Sequence, residues 1–410
     1  MMLTRHGLWN TPVVSRPFIF GPPDARSVRQ LETCITAAGT SAVGSVLCAD
    51  HHPGYSMPIG GVIALRNAVM PAGVGYDIAC GNCAVQTDLS AAEVDVGRIM
   101  DTLSRTLSFG VGRRNDERVD HDVIDAIAAS PVKPQRKLLS LAREQLGTIG
   151  SGNHYVDLFE DRADGSLWIG VHFGSRGFGH RTASGFLALA KGRAFEERVA
   201  EGGMDSAPAV LSLQQPIGQD YVAAMEIAGR YAYAGREWVV GKVLSILGAR
   251  ELQRVHNHHN FAWKEQHHGE TLWVVRKGAT PAFPGQRGFI GGTMGDDAVI
   301  VRGVDSPASA AALYSTVHGA GRVMSRSEAR GKRRGGKVLK PARVDWKKWQ
   351  WKLKAQGVEV RGGGADEAPE CYKHLTAVLE EHRGTIAIEH TLRPIGVAMA
   401  GANEFDPYKD

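Results

Sequence analysis

The residues of this chain that could carry chemistry are spread over most of its length, so any fold it adopts must gather them. Gly73-Val74-Gly75-Tyr76-Asp77-Ile78-Ala79-Cys80-Gly81 sets a carboxylate and a thiol close together among glycines. Far downstream, Val317-His318-Gly319-Ala320-Gly321-Arg322 sets one imidazole in a glycine-flanked loop. Between them come Gly152-Asn153-His154, Val171-His172-Phe173-Gly174-Ser175-Arg176 and Asn257-His258-His259-Asn260. Glycine-rich turns cost conformational entropy and serve where backbone must approach a ligand. Asp77 and Cys80, at i and i+3 on a turn, can point into one cavity, where a thiolate can bridge two cations. Imidazoles complete such a shell, and amides such as Asn153 and Asn260 can orient them or bind phosphate. A lone histidine is more often structural, but here several lie in glycine-rich turns rather than on apolar helix faces. The pattern points to a metal centre beside a nucleophile, and so to phosphate chemistry.

Competing motif readings are weaker. Gly147-x-x-Gly-x-Gly-Asn-His resembles a phosphate-binding loop, yet it lacks the Lys-Ser/Thr ending of a P-loop and the βαβ setting of a dinucleotide site. Cys80-x-x-Cys83 is half of a zinc-ribbon pattern with no second half. Five cysteines, few and odd in number, argue against a disulfide framework and for a reducing compartment. The N-terminus lacks the apolar core of a signal peptide. No apolar run reaches membrane-spanning length, because Gly, Arg, Asp or His interrupts each one. The expectation is a cytoplasmic protein with no membrane partner.

Short apolar triplets punctuated by Gly and Pro over 59–87 predict strands and turns. A Ser-Ala-Ala-Glu pattern at Ser90 opens a helical periodicity over 91–108. Residues 134–146, 181–200 and 219–254 also read as helix, and Leu167–Val171 and Leu272–Val275 as buried strands. Strands and helices interleave without regular βαβ spacing and without a linker between domains. This predicts an α+β fold, one large domain over 1–410 with mixed sheets around a central metal cleft.

A net charge of +5 from 48 basic and 43 acidic residues is too mild to claim a nucleic-acid partner alone. Its distribution says more. Arg330, Lys332, Arg333, Arg334, Lys337, Lys340, Arg343, Lys347, Lys348, Lys352 and Lys354 are interleaved with Trp346, Trp349 and Trp351. Cations for phosphates and aromatic faces for bases suit single-stranded nucleic acid. A solvated basic helix with inward tryptophans explains the same residues. The stretch 326–370 is expected to be a basic insertion or subdomain within the large domain.

Several strings, in order, resemble the RtcB family of RNA-splicing ligases from about Gly44 to Gly401. They are Ala49-Asp50-His51-His52-Pro53-Gly54-Tyr55, Pro58-Ile-Gly-Gly-Val, the Asp77 and Cys80 string, Gly147-Thr-Ile-Gly-Ser-Gly-Asn-His-Tyr, His172-Phe-Gly-Ser-Arg-Gly, His258-His-Asn with Lys264-Glu-Gln-His-His-Gly-Glu, Arg276-Lys-Gly-Ala, His318-Gly-Ala-Gly-Arg-Val-Met-Ser-Arg and Glu367-Ala-Pro-Glu-Cys-Tyr-Lys. The resemblance implies an enzyme that joins RNA ending in a 2′,3′-cyclic phosphate or 3′-phosphate to RNA with a 5′-hydroxyl. It implies GTP and manganese, two ions per site, as cofactors, and RNA as partner. It implies that His318 is guanylylated and passes the guanylate to the RNA. The metal ligands it implies are Asp77, Cys80, His154, His172 and His259. The nucleotide contacts it implies are Asn153, His154, Tyr155, Val156 and Asp157, then His259 and Asn260, Gly291, Gly292, Thr293 and Met294, and His318, Gly319, Ala320 and Gly321. Tyr372 matches a tyrosine that lies against guanine. Thiolate and imidazole alone would equally suit zinc, so manganese rests on the resemblance.

The departures fall on base recognition. Met399 stands where the family has a guanine-binding lysine. Asp157 replaces a glutamate that contacts guanine. Gly291-Gly-Thr-Met replaces Pro-Gly-Ser-Met, and Gly235 replaces an Asn before Arg236. The metal shell and His318 are intact, so metal and histidine chemistry is the firmer expectation and GTP preference the weaker. The departures also suit a paralogue with altered nucleotide selectivity, and two further rivals stand beside the ligase: a metal-dependent 2′,3′-cyclic phosphodiesterase, and a non-catalytic RNA-binding relative. An intact His318 loop argues against the second, which has no need of that imidazole. Asp50 and His52 either act in the cleft or shape a turn. The residues name no helper protein.

Overall fold

The computed structural model describes residues 16–197, 203–334, 337–402 and 404. Its larger sheet has eight strands. Seven follow the order Arg287–Ile290, Ala298–Gly303, Ile386–Gly401, Tyr155–Asp161, Ser166–Phe173, Gly81–Ser90 and Glu251–His258. The eighth, Glu359–Gly363, pairs in parallel with Ile386–Gly401. The first of the seven meets the last two through side chains. Asn82 Nδ2 donates to the Phe289 carbonyl at 2.8 Å, and the Phe289 amide donates to Asn257 Oδ1 at 3.0 Å. The sheet is thereby nearly closed into a barrel. Trp168, Phe159, Phe289, Val255, Ile300 and Leu392 fill its interior with two alanines.

The same strands bury their outer faces. Val156, Leu158, Ile169 and Val171 pack against Val239, Val240 and Val243 of the long helix Pro216–Leu247. A strand buried on both faces reads as a continuous apolar run rather than an alternating one. That is why Leu167–Val171 was legible as a strand, observed as Ser166–Phe173.

The second sheet has five strands, in the order Phe18–Ile19, Ala42–His52, Ile59–Leu65, Glu270–Lys277 and Asn260–His267. Only His259 separates Glu251–His258 in the barrel from Asn260–His267 in this sheet. One histidine thus sits at the junction of the two sheets. Ser315–Val317, which leads into His318, pairs with Ala279–Pro281.

Several helical expectations are corrected at their ends. Ser90 forms the expected capping box, but it caps the 3₁₀ turn Ala91–Glu93, and the helix Val96–Thr106 starts after its own cap, Asp95. Residues 134–146 divide into Lys133–Arg136 and Leu139–Gln145. The helix expected over 181–200 is Arg176–Ala190, and 198–200 lie outside the described residues. The helix expected over 219–254 stops at Gly248, whose left-handed φ of 64° ends it, and a strand begins at Glu251. Of the stretch 326–370, Arg326–Arg330 and Trp346–Ala355 are helices, and Lys332–Arg334 pairs with Lys337–Lys340. Glu359–Gly363 is a strand of the barrel sheet itself. Among the described residues no helix is long and apolar enough to cross a membrane.

The barrel interior yields a stability test. Trp168 is wholly buried and its indole N–H donates to Ser166 Oγ at 3.2 Å. Trp168→Ala is expected to destabilise by about 3–5 kcal/mol, seen as a lower chemical-denaturation midpoint. Trp351→Ala, on the surface, is expected to move the midpoint little. Equal midpoints for the two variants would refute the barrel as a packed core.

Candidate active site

One rim of the barrel is where its strands exchange partners with the second sheet. Register decides which side chains meet there. Gly81 lies opposite both Phe173 and His258, Asn82 opposite His172, and Tyr155 opposite both His172 and Met399. Residues just beyond these ends therefore converge. Ala79 has a left-handed φ of 59° and turns the chain into Cys80. Cys80 Sγ lies 3.2 Å from His172 Nε2 and 3.6 Å from His154 Nε2. Asp77 Oδ2 is 3.2 Å from His154 Nε2. The ligand atoms of Cys80, His154 and His172 all fall within 4.8 Å of one another. The His259 ring is 5.1 Å from that of His172 and 4.8 Å from that of His318.

Burial sets the charges. It pushes the Cys80 thiol well up, and the Asp77 charge adds to this. It holds His172 and His259 well below their ordinary range, with neighbouring histidines adding to the effect. Both rings are therefore neutral, each with a lone pair to give. Burial alone would raise the Asp77 carboxyl, but the His154 contact and Arg176 bring it down to about 2. Among the described residues, His259 Nδ1 is buried without any hydrogen-bond partner. A carboxylate, neutral imidazoles and a thiol with this spacing, including an imidazole nitrogen that no protein group satisfies, fit a metal centre.

His318 is held by a buried carboxylate. Asp50, on the strand Ala42–His52, accepts from His318 Nδ1 at 2.6 Å and from the His318 main-chain amide at 3.0 Å. The Nδ1 proton is committed to Asp50, so Nε2 is the ring nitrogen that Asp50 leaves unengaged. Burial would raise the Asp50 carboxyl, but the charge and hydrogen bonds of His318 bring it below its usual value. Gly321, at φ 79°, is required here: a Cβ would lie 2.1 Å from the Asp50 carbonyl oxygen. His52 lines the same cleft, and burial holds it down to about 4. Of the two, His52 lines the cleft, whereas Asp50 lies behind it and acts on it through His318.

Two arginines without an assigned role in the sequence brace this set. Arg236, wholly buried on the long helix, donates to the Ala79 and Phe173 carbonyls at 3.0 and 2.5 Å. It also reaches His256 Nε2 at 2.8 Å and His258 Nδ1 at 3.0 Å. Arg176 lies against the glycine loop, where a Cβ on Gly150, at φ 90°, would fall on its guanidinium. The neighbouring Gly235 leaves room for Phe173, whose ring would stand 3.2 Å from a Cβ there.

The cleft holds about 1600 Å³. Asn153, Tyr155, Asp157, Asn260, Gly291 to Met294, Gly319 to Gly321, Tyr372 and Met399 line it together with the metal-type residues. Val156 is the exception. Alternation along its strand sends Tyr155 and Asp157 to the cleft and Val156 into the core beside the long helix. The Val156 side chain therefore does not face the cleft. Asn260 acts as a brace, its Oδ1 accepting from the Gly278 amide at 2.7 Å. Arg322 donates to the Tyr372 hydroxyl at 2.8 Å and covers its ring at 4.8 Å, and that hydroxyl donates to Glu367. Met399 packs with Tyr155, Met294, Leu353 and Val397 in an apolar wall. Beside it, Asp157 is pushed well above the usual carboxyl range by burial, and among the described residues its Oδ1 has no hydrogen-bond partner.

Comparison with known proteins gives one answer. The family model described as tRNA-splicing ligase RtcB matches residues 30–135 and 125–400. A tRNA-splicing ligase RtcB of Archaeoglobus fulgidus is 30% identical, over 91% of this chain and 90% of the relative. An RNA-splicing ligase RtcB of Escherichia coli is 30% identical, over 84% of this chain and 87% of its own. A Pyrobaculum aerophilum tRNA-splicing ligase RtcB is 29% identical, over 86% and 87%. With matched segments that run across both sheets and the whole cleft, this chain belongs to the RtcB family.

Proposed function

We propose that this protein joins RNA ends bearing a 3′-phosphate or 2′,3′-cyclic phosphate to ends bearing a 5′-hydroxyl, using GTP and manganese. The observation that carries the reading is the Asp50–His318 pair at 2.6 Å beside the Cys80, His154 and His172 cluster. It supplies an imidazole whose Nδ1 is held by a carboxylate and whose Nε2 is left to react, next to a set of metal-type ligands. In this reading Nε2 forms a bond to the α-phosphorus of GTP as the bond to the bridging oxygen breaks and pyrophosphate leaves. Asp50 stabilises the positive ring that results. An RNA 3′-phosphate oxygen then takes the phosphorus and frees Nε2. The 5′-hydroxyl oxygen attacks the RNA 3′-phosphorus, loses its proton, and GMP leaves. A cyclic end is opened by water beforehand.

Asp77, Cys80, His154, His172 and His259 would hold the manganese ions, which would offset charge on the transferring phosphates. Incubation with radiolabelled GTP and manganese separates the ligase from a cyclic phosphodiesterase. Covalent label is expected, and its absence alongside cyclic-phosphate opening would favour the hydrolase.

Cys80→Ser is expected to remove bound manganese and lower sealing by at least about a hundredfold, with the circular dichroism spectrum preserved. Elemental analysis is the check, and full metal content with full activity would remove Cys80 from the ligand set. His318→Ala is expected to take up no GMP by intact mass, yet to seal RNA already carrying a 3′-guanylate. An adduct persisting on that variant would move the nucleophile elsewhere.

Met399 bears on the choice of nucleotide. A lysine there could read guanine by a charge-assisted bond, whereas the thioether cannot. The protein is expected to accept ATP measurably, and Met399→Lys to raise the GTP preference by about ten- to a hundredfold. Label uptake from each nucleotide decides this. A thousandfold GTP preference in the unmodified protein, unchanged by Met399→Lys, would show that other residues read the base.

A further inference from the structure

The helix Trp346–Ala355, WKKWQWKLKA, carries four lysines and no acid. Its faces differ sharply. Trp346, Trp349 and Leu353, at i, i+3 and i+7, turn inward. Leu353 joins the apolar wall of Tyr155, Met294 and Met399, against which Trp346 also packs. Trp349 packs on a second cluster, with its ring under Lys352 Nζ at 4.2 Å. Trp351 does neither and is 71% exposed. On the helix surface its neighbours are Lys347 at i−4, Lys348 at i−3 and Lys354 at i+3. All three are exposed, and among the described residues none has a carboxylate within 4.0 Å. One bare indole is thus ringed by three unneutralised ammonium groups.

The position of this face matters as much as its composition. Tyr155, Met294 and Met399 line the cleft on one side and hold the helix on the other. The outward face is then about one helix diameter, roughly 10–12 Å, behind the cleft wall. A polymer whose end is bound in the cleft lies within reach of it.

We propose that the outward face formed by Lys347, Lys348, Trp351 and Lys354 docks the single-stranded arm of the RNA whose end enters the cleft. A base stacks on Trp351 and the flanking phosphates pair with the lysines. This rests on the ligase reading for the identity of the polymer. An anionic membrane is the poorer occupant. Membrane-surface helices bury a broad apolar face, and here the outward residues besides Trp351 are lysines, Gln350 and Ala355.

The test uses the full chain and a fluorescein-labelled, unstructured RNA of about 20 nucleotides with a 3′-phosphate. Affinity is read by anisotropy over a series of salt concentrations. Trp351→Ala is expected to weaken binding about tenfold, and Trp351→Phe to retain most of it. A Lys347→Ala, Lys348→Ala, Lys354→Ala variant is expected to reduce the slope of log affinity against log salt by about 2. Uptake of GMP on His318, followed by intact mass, should be unchanged, because none of the four side chains lines the cleft. The proposal is overturned if affinity and salt slope in both alanine variants match the unmodified protein. It is equally overturned if they lose binding to phosphatidylserine vesicles while keeping that for RNA. If the unmodified protein forms no adduct but the variants still lose RNA affinity, the docking face stands and the guanylate reading falls.

Discussion

Arg236 gathers acceptors from three strand ends at a depth that solvent does not reach. Its guanidinium bonds the Ala79 carbonyl next to Cys80, the Phe173 carbonyl next to His172, and His258 next to His259. Three of the metal-type residues are therefore each one residue away from the same cation. A buried charge is tolerated only when its donors are satisfied, and here satisfying them draws the three strand ends together. The long helix that carries Arg236 is pressed against those strands by valines on both sides. Rim geometry, helix packing and charge compensation are one arrangement seen from three directions.

The imidazole proposed as nucleophile is organised differently. His318 does not belong to the barrel rim but follows a short strand paired with Ala279–Pro281, and its partner Asp50 comes from the second sheet. The cleft thus lies between two structural systems. One fixes the metal-type side chains, the other fixes an imidazole with its proton toward Asp50. His259, the single residue between a barrel strand and a second-sheet strand, stands where the two meet. Such division lets the two functions be set independently by packing while their side chains remain in contact.

Much of this was legible because glycine-flanked turns are local signals. Asp77, Cys80, His154, His172, His259 and His318 announced themselves by their neighbours, and the cleft contains them all. The Asp50–His318 contact was less legible, since it spans 268 positions and is set by how two sheets approach. Arg236 was hidden in an apolar helical run, where its four acceptors cannot be read from sequence. The inward turn of Val156 was not legible, because a motif treats consecutive residues alike whereas a strand sends them to opposite faces. The helix that overran Gly248 and the insertion whose last strand joined the barrel sheet share a cause. Local periodicity does not report which partner a segment will find.

The barrel closes along a seam, and that seam has a mechanical consequence. Neighbouring strands elsewhere in the sheet are tied by backbone ladders, but Arg287–Ile290 meets Glu251–His258 and Gly81–Ser90 through side chains. The ties are Asn82 and Asn257 to Phe289, with Arg287 to Gln253 at 2.7 Å. The loop Gly291 to Met294 hangs directly from this seam. Its wall of the cleft rides on the weakest joint of the cylinder, while the Cys80 wall rides on continuous ladders. Strain from a bulky guest is therefore relieved by parting two strands at the seam, leaving the spacing of thiol and imidazoles untouched.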